Sequence, residues 1–453
     1  MKEKEYDLIV IGGGPAGYYG ALRGAQLGAK VAVVEMGDLG GTCLNCGCIP
    51  TKTLLEVAEL RQKMIKSGEL GLILPGPIDF DISKIHSRKE SIVRSLQDGI
   101  ASLLRAKRIE LLRGKAKFID RSTVRVLSDM GEQILSARKI LIATGSSEKE
   151  LSIPGGNYAI GSRRALAFDS VPLRTGIIGG GAVGLELATL YSGLGSKVTV
   201  LEFMPEILPS EDHETVALLR NLLNQSGIAI KTSCSVTEIR KDNEEYIIDY
   251  ECDGKTAHDA VDLVITAVGR VPYTDDLNLD GIVVELDDKG FIRTNNFLET
   301  TAQGVYAAGD VIGGMLLAHV AFAEGKTAVE NALGEKKPHE AISVPRCIFT
   351  HPEFSAVGLT EEAVQDQGLD YRVGRFPLRG NGRAVSLGQN QGLVKVIVDS
   401  QIGQILGVSF VGPCASEMIA SASYLIEEEF TCSELGTTMI AHPTLGEALK
   451  EAG

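Results

Sequence analysis

Tyr6-Asp-Leu-Ile-Val-Ile11-Gly12-Gly-Gly14-Pro-Ala-Gly17 decides the fold of this chain. An apolar run that reads as a buried strand leads straight into a glycine turn, and a helical pattern follows to about Leu27. Lys30-Val-Ala-Val-Val34 then reads as a second strand, ending at Glu35. Strand, glycine turn, helix, strand and acid is the order that a dinucleotide-binding unit requires. Gly12 permits the tight turn, Gly14 lets a pyrophosphate approach the backbone, and Gly17 lets helix and strand pack closely. The helix start offers free N–H groups and a positive dipole end to phosphates. Glu35, 18 residues after Gly17, suits the hydroxyls of a ribose.

The pattern returns at Thr175-Gly-Ile-Ile-Gly179-Gly-Gly181-Ala-Val-Gly184, followed by Lys197-Val-Thr-Val-Leu-Glu202. First glycine and acid lie 23 residues apart in both copies, from Gly12 to Glu35 and from Gly179 to Glu202. Two matching units are an internal repeat and imply two dinucleotides. A carboxylate at Glu202 suits a free 2′-hydroxyl and repels a 2′-phosphate, and Phe203 and Met204 follow it where an arginine would welcome NADP. NAD is therefore the expected nicotinamide cofactor. Lys139-Ile-Leu-Ile-Ala-Thr-Gly145 and Asp262-Leu-Val-Ile-Thr-Ala-Val-Gly269 read as buried strands ending in glycine, one after each repeat. Gly304-Val-Tyr-Ala-Ala-Gly309-Asp310 is a third, whose Asp310, taken alone, reads better as a turn or cap residue than as a polyol ligand.

Directly after the first unit stands Gly40-Gly-Thr-Cys-Leu-Asn-Cys-Gly-Cys-Ile-Pro-Thr-Lys52, with three of the eight cysteines. Clustered thiols serve zinc binding, a structural bridge or a redox couple. Zinc would need a fourth ligand at fixed spacing, and no histidine lies near, so no metal site is expected. A catalytic dithiol beside a bound cofactor is the favoured reading. On a regular helix Cys43 and Cys46 point about 60° apart and Cys43 and Cys48 about 140° apart, so the spacing by itself does not select the partners.

At 453 residues the chain is expected to hold about three domains. The 52 glycines suggest many tight turns and close backbone approaches. A formal net charge of −14 argues against nucleic-acid binding. The opening Met1-Lys-Glu-Lys-Glu-Tyr-Asp has no apolar signal core, no run of 18 apolar residues occurs, and the cysteines do not form a secreted framework. A cytoplasmic protein with no membrane span is expected. Between Ser91 and Leu104 the apolar residues Ile92, Leu96, Ile100, Leu103 and Leu104 mark an amphipathic helix, assigned to packing.

Beyond about residue 340 the fingerprints stop. Strand-like runs at Leu393–Val398 and Gln404–Val411, then a helix with Met418, Ile419, Ala422, Leu425 and Ile426 on one face, suggest a separate α+β domain. Near the end, Ile440-Ala-His442-Pro-Thr-Leu-Gly-Glu447 places a histidine five residues before a glutamate. That spacing leaves His442 open between a base held by a carboxylate and an ordinary surface or core histidine. His319 and His351 default to structural roles. Cys234, Cys252, Cys347, Cys414 and Cys432 default to small buried apolar residues.

Together these motifs resemble the FAD-dependent pyridine nucleotide–disulfide oxidoreductases over essentially the whole chain. The likeness is carried best by residues 40–52 and 442–447, with support from Gly309-Asp-Val, Leu316-Leu-Ala-His319 and Val268-Gly-Arg270. Within the family it is closest to the members that oxidise protein-bound dihydrolipoamide with NAD+. The resemblance implies an α/β fold with two Rossmann-like domains, for FAD and NAD, and a C-terminal α+β dimerisation domain. FAD would take residues 1–146 and 271–340, NAD 147–270, and the interface domain 341–453. Cys43 and Cys48 would be the redox disulfide, Cys43 exchanging with substrate and Cys48 lying against the flavin. That pairing requires the helix start to be distorted, and Gly47 and Pro50 are placed to allow it.

By the same resemblance Lys52 approaches the flavin and pairs with Glu186, and Asp310 bonds the ribityl chain. Thr42, Gly114, Ala116, Thr144, Gly145, Ala318 and His319 join the FAD contacts, and Val236 and Gly269 join Gly179, Gly181, Gly184 and Glu202 around NAD. Members are homodimers in which His442 and Glu447 of one subunit complete the other's site. The substrate arm would come from a lipoylated acyltransferase or H-protein. Three departures stand out: Ile440 replaces the first His of the usual His-x-His-Pro, Tyr273 replaces the more usual Asn or Phe, and Cys46 adds a third thiol. The alternatives are another flavin disulfide reductase of the same fold, or a mainly structural subunit of a complex.

Overall fold

Leu8, Ile9, Val10 and Ile11 are buried on both faces, as the continuous apolar run of a central parallel strand must be. In the computed structural model, which describes residues 4–339 and 343–453, their strand Lys4–Ile11 has parallel neighbours on both sides, Val31–Glu35 and Gly131–Ile142. Glu110–Arg113 pairs beyond Val31–Glu35, and Val305–Ala307 joins Gly131–Ile142 in parallel. The antiparallel strands Thr123–Ser128 and Lys115–Asp120 complete a seven-stranded sheet. The expected boundary at 340/341 and the first three residues lie outside the described residues.

The chain divides into two compact units, one of residues 1–53, 83–149 and 269–341 and the other of 54–82, 150–268 and 342–453. In the first, the helices Pro15–Gln26 and Ala318–Ala332 meet backbone to backbone. A Cβ on Gly325 would stand 2.1 Å from the Ala16 carbonyl oxygen, so part of the high glycine count is a helix contact and not a turn. The helix expected over 91–104 runs longer, Ile82–Ala106, and buries only Ile100 and Leu104. Leu96 and Leu103 are exposed, so the apolar stripe is only half used within the unit.

The second unit contains three sheets. Arg174–Ile178 sits in a four-stranded parallel sheet between Lys197–Leu201 and Leu263–Thr266, with Ala229–Lys231 at the edge. Cys234–Asp242, Glu245–Cys252 and Lys255–Val261 form an antiparallel meander. Residues beyond 342 build a five-stranded antiparallel sheet in which Leu393–Asp399 and Ile405–Gly412 are neighbours, as their sequence runs suggest. The helix Ala415–Glu427 buries Ile419, Ala422 and Ile426 in the same core.

One expectation is overturned. Cys234 and Cys252 are not isolated apolar residues but a disulfide, with Cα atoms 4.3 Å apart. They are register partners on adjacent antiparallel strands, a juxtaposition that their 18-residue separation does not disclose.

A buried lysine ties the second unit together. Lys395, wholly buried, lies 2.7 Å from Asp212, 2.6 Å from Glu361 and 3.0 Å from Glu214. Asp212 also caps the helix His213–Gln225 through the Thr215 N–H. Burial alone would lower the Lys395 pKa, but the carboxylates more than offset it and hold it above the ordinary lysine value. Lys395→Ala leaves a buried carboxylate unpaired and is expected to cost about 3–5 kcal/mol, read as a fall in the denaturant midpoint of this unit. Lys395→Met with Asp212→Asn should recover most of that loss.

Candidate active site

The first glycine turn holds its helix start open. A Cβ on Gly17 would stand 1.9 Å from the Gly12 carbonyl oxygen, and Gly12 itself has φ +105°. The Glu35 carboxylate accepts from the Gly13 and Gly37 N–H groups, each at 2.6 Å. Gly114 donates its N–H to the Glu35 carbonyl at 3.0 Å, and Ala116 follows it in a strand, so the structure gathers Glu35, Gly114 and Ala116 at one end of the turn. No side chain caps the helix Pro15–Gln26, which leaves its first N–H groups for an anion.

The second turn repeats this geometry. A Cβ on Gly184 would stand 2.0 Å from the Gly179 carbonyl oxygen, while one on Gly181 would meet nothing within 4 Å. The helix Ala182–Leu194 also lacks a side-chain cap. Glu202, buried, accepts from Gly180 N–H at 2.5 Å and Met204 N–H at 2.7 Å. Val236 lies in the adjoining strand Cys234–Asp242, and Gly269 has φ +111° with open space where a Cβ would stand. Both cradles have the parts that a dinucleotide site requires: a tight glycine turn, uncapped helix N–H groups and an acid at the end of the second strand.

Between Gly41–Cys46 and Cys48–Ile65 the helix breaks at Gly47, with φ −134° and ψ −114°. A Cβ there would come within 3.0 Å of the Thr42 carbonyl oxygen and 3.4 Å of the Cys43 Cα. That close passage folds Cys48 back onto Cys43, and their sulfurs are in hydrogen-bond contact. The hydrogen bond with Cys48 and burial push the Cys43 thiol far up, Lys52 pulls it down, and Asp310 adds to the rise. Cys43, Cys46 and Cys48 are all unbridged thiols. Lys52 belongs to the helix Cys48–Ile65, and Glu186 is buried in Ala182–Leu194, where it accepts the Phe349 N–H at 3.1 Å.

Two residues to which the sequence assigned no role, Arg270 and Ser146, brace this corner. Arg270 donates to the Ser146 hydroxyl at 2.6 Å, to its carbonyl at 2.7 Å and to Thr42 Oγ1 at 3.4 Å. The Ser146 hydroxyl in turn donates to Asp310 at 2.5 Å. One guanidinium thereby joins the start of the thiol helix, the glycine end of a strand and the expected polyol ligand; the local signal was Val268-Gly-Arg270, to which no bracing role was assigned. Thr144 donates to the Tyr273 carbonyl at 2.6 Å and Tyr273 N–H to the Gly145 carbonyl at 2.9 Å. Position 273 therefore acts here through its backbone. Ala318 and His319 open the helix Ala318–Ala332, whose buried Glu324 accepts the Gly309 N–H at 2.7 Å. Burial raises Glu324 to about 7.

At the far end of the chain His442 Nδ1 and Glu447 Oε1 are 2.8 Å apart, and the Thr444 N–H donates to the other carboxylate oxygen at 2.8 Å. These contacts, the backbone one first, hold Glu447 below the ordinary carboxyl range. The His442 side chain is 77% exposed, so the pair presents Nε2 outward. Among the described residues no cluster of three or more His, Cys, Asp or Glu is placed to hold a metal. No helix among them is long and apolar enough to cross a membrane.

Comparison with known proteins agrees with this geometry. Residues 6–325 match the family described as pyridine nucleotide-disulphide oxidoreductase, and residues 344–453 its dimerisation domain. A dihydrolipoyl dehydrogenase of Thermus scotoductus is 44% identical over 99% of this chain and 97% of its own length. Another from Geobacillus stearothermophilus is 36% identical over 99% of this chain and 95% of its own. Among solved structures, the Cu(II) complex of the HOCl-induced flavoprotein disulfide reductase RclA from Escherichia coli superposes with a TM-score of 0.89 at 29% identity, covering 100% of this chain and 99% of that one.

Gly47→Val is expected to push the two thiols apart, so that peptide mapping of the oxidised variant recovers several-fold less 43–48 bridge than the parent. Glu324 supplies a pH signature. Its folded pKa lies above the unfolded one, so its contribution to stability is present below about pH 4.5 and lost as pH rises through about 7. Glu324→Gln should flatten that part of the stability–pH profile, measured by denaturant midpoints at pH 5 and pH 8.

Proposed function

The chain belongs to the pyridine nucleotide–disulphide oxidoreductases, and from that premise we propose that it oxidises protein-bound dihydrolipoamide to lipoamide and reduces NAD+ to NADH. The observation that carries this reading is the contact of Cys43 with Cys48 across the Gly47 break, beside a dinucleotide cradle. The first cradle, with Glu35, Gly114, Ala116 and Asp310, would hold FAD, and the second, with Glu202 and Val236, would hold NAD. Residues 1–146 and 271–340 would serve FAD, 147–270 NAD, and 341–453 the dimer. When bound, FAD and NAD+ would supply the two-electron acceptors beyond the Cys43–Cys48 disulfide.

The protein's own residues handle protons and sulfur. An ordinary thiol of pKa about 8.5 is only a few per cent thiolate at pH 7, so the substrate dithiol needs a base. In a homodimer, His442 of the partner subunit takes that proton at Nε2, and Glu447 holds the ring through Nδ1. The substrate thiolate attacks Cys43 Sγ of the oxidised pair, the Cys43–Cys48 bond breaks, and Cys48 leaves as a thiolate. The second substrate thiol gives up its proton and attacks the substrate sulfur of the mixed disulfide. Lipoamide departs and Cys43 takes a proton, which its raised pKa retains. The substrate loses two S–H protons, and the enzyme ends with the Cys43 thiol, the Cys48 thiolate and a proton on His442, so the exchange balances. Lys52, which favours the thiolate form electrostatically, and Glu186 complete the expected set. A lipoylated acyltransferase or H-protein in the cytoplasm would carry the substrate.

Purified protein should be yellow and should oxidise dihydrolipoamide with NAD+. Cys43→Ser and Cys48→Ser should abolish turnover, and His442→Ala should lower kcat by roughly a hundredfold or more. Colourless protein without this activity would defeat the proposal, and a His442→Ala rate within a few-fold of the parent would remove that residue from its role.

A further inference from the structure

We propose that Cys234 and Cys252 are a second thiol–disulfide couple, whose redox state sets how tightly the second cradle holds its dinucleotide. The inference rests on the reading of Glu202 as the ribose-binding acid. The two cysteines face each other where Cys234–Asp242 begins and Glu245–Cys252 ends. The segment leading into that strand is bonded to the cradle through its backbone. Cys234 N–H donates to the Glu202 carbonyl at 2.8 Å, and Ser233 N–H donates to the Met204 carbonyl at 2.9 Å. Glu202 in turn holds Gly180 and Met204 with its carboxylate. Ser233 itself has φ +53°, a left-handed conformation that a non-glycine residue keeps only when its surroundings hold it.

Two restraints therefore act on residues 232–236: the bonds to Glu202 and Met204 on one side, and the bridge to Cys252 on the other. The carboxyl ends of parallel strands, where Leu201 and Lys231 finish, are where a dinucleotide lies in such folds. The bridge thus braces the adenosine end of the cradle, and opening it releases Ser233 and Val236 to move. A more ordered cradle loses less conformational entropy on binding, so the oxidised form binds the dinucleotide more tightly.

Cys234 is buried and Cys252 half-buried, which makes Cys252 the sulfur that a small reagent reaches first. With a low-molecular-weight disulfide as oxidant, the Cys252 thiolate attacks one sulfur of the reagent and expels one thiol. The Cys234 thiolate then attacks Cys252 Sγ and expels the second. Two cysteine thiols become one disulfide and one reagent disulfide becomes two thiols; a small dithiol reverses the step.

The test titrates ADP-ribose, the part of the dinucleotide that carries no hydride, into the FAD-loaded protein by calorimetry, oxidised and after treatment with a phosphine reductant. Parallel titrations use Cys234→Ser/Cys252→Ser and Glu202→Ala, and peptide mapping of the oxidised parent identifies its bridges. The expected results are a 234–252 bridge in the oxidised parent, ADP-ribose affinity falling about fivefold or more on reduction, and a double variant that binds weakly in both states. The double variant also separates this couple from Cys43–Cys48, which it retains. Absence of the 234–252 bridge, a parent affinity unchanged by reduction, or an equal response in the double variant would each overturn the couple. An unchanged ADP-ribose affinity in Glu202→Ala would instead overturn the reading of the cradle beneath it.

Discussion

The passage of each glycine helix over its own turn is the constraint on which the molecule depends. At Gly17 and Gly184 a Cβ would stand within 2.0 Å of a carbonyl oxygen five residues earlier in the chain. No side chain can occupy that space, so the helix start lies directly at the end of the central strand with its N–H groups free. Each acid then closes the turn from the neighbouring strand, accepting a backbone N–H of the glycine run. Under the proposed reading Glu35 and Glu202 would be structural and ligand-binding at once, and removing either carboxylate would disturb both roles.

The thiol helix depends on the first of these turns. Gly40 donates its N–H to the Gly13 carbonyl at 2.8 Å, which hangs the start of Gly41–Cys46 from the glycine run. Asn45 fastens the same turn by donating to Leu39 and Gly41 carbonyls and is itself bonded by Gln97. The Gly47 break and the Arg270–Ser146–Asp310 chain then set where Cys43 and Cys48 stand. The raised Cys43 pKa is a consequence of that placement: a thiol pressed against a second sulfur, away from water, keeps its proton. Such a pair exchanges disulfides well only when a base is brought to it, and the exposed His442, held by Glu447, is the residue proposed for that part.

Buried charge in the second unit follows a different logic. Lys395 faces three carboxylates and Arg375 reaches two of them, so the group is a network in which no carboxylate is left alone. It joins the start of a helix beside the nucleotide-binding sheet to the C-terminal sheet by electrostatics and hydrogen bonds, with geometry specific enough to fix register between them.

The sequence by itself determined the two dinucleotide units, their acids, the preference for NAD and the presence of a redox thiol cluster. All of these are local, because a glycine turn and its acid lie within a few dozen residues on two adjoining strands. Helical spacing could not choose among Cys43, Cys46 and Cys48, since a regular helix turns about 100° per residue and would set Cys43 nearer in direction to Cys46 than to Cys48. Only the break at Gly47, set by a backbone contact with Thr42, brings Cys48 to Cys43. The Cys234–Cys252 bridge, the Arg270 brace and the Lys395 network were equally hidden. Each joins residues that strand pairing or the folding of distant segments brings together, and neither composition nor periodicity encodes which distant side chains will meet.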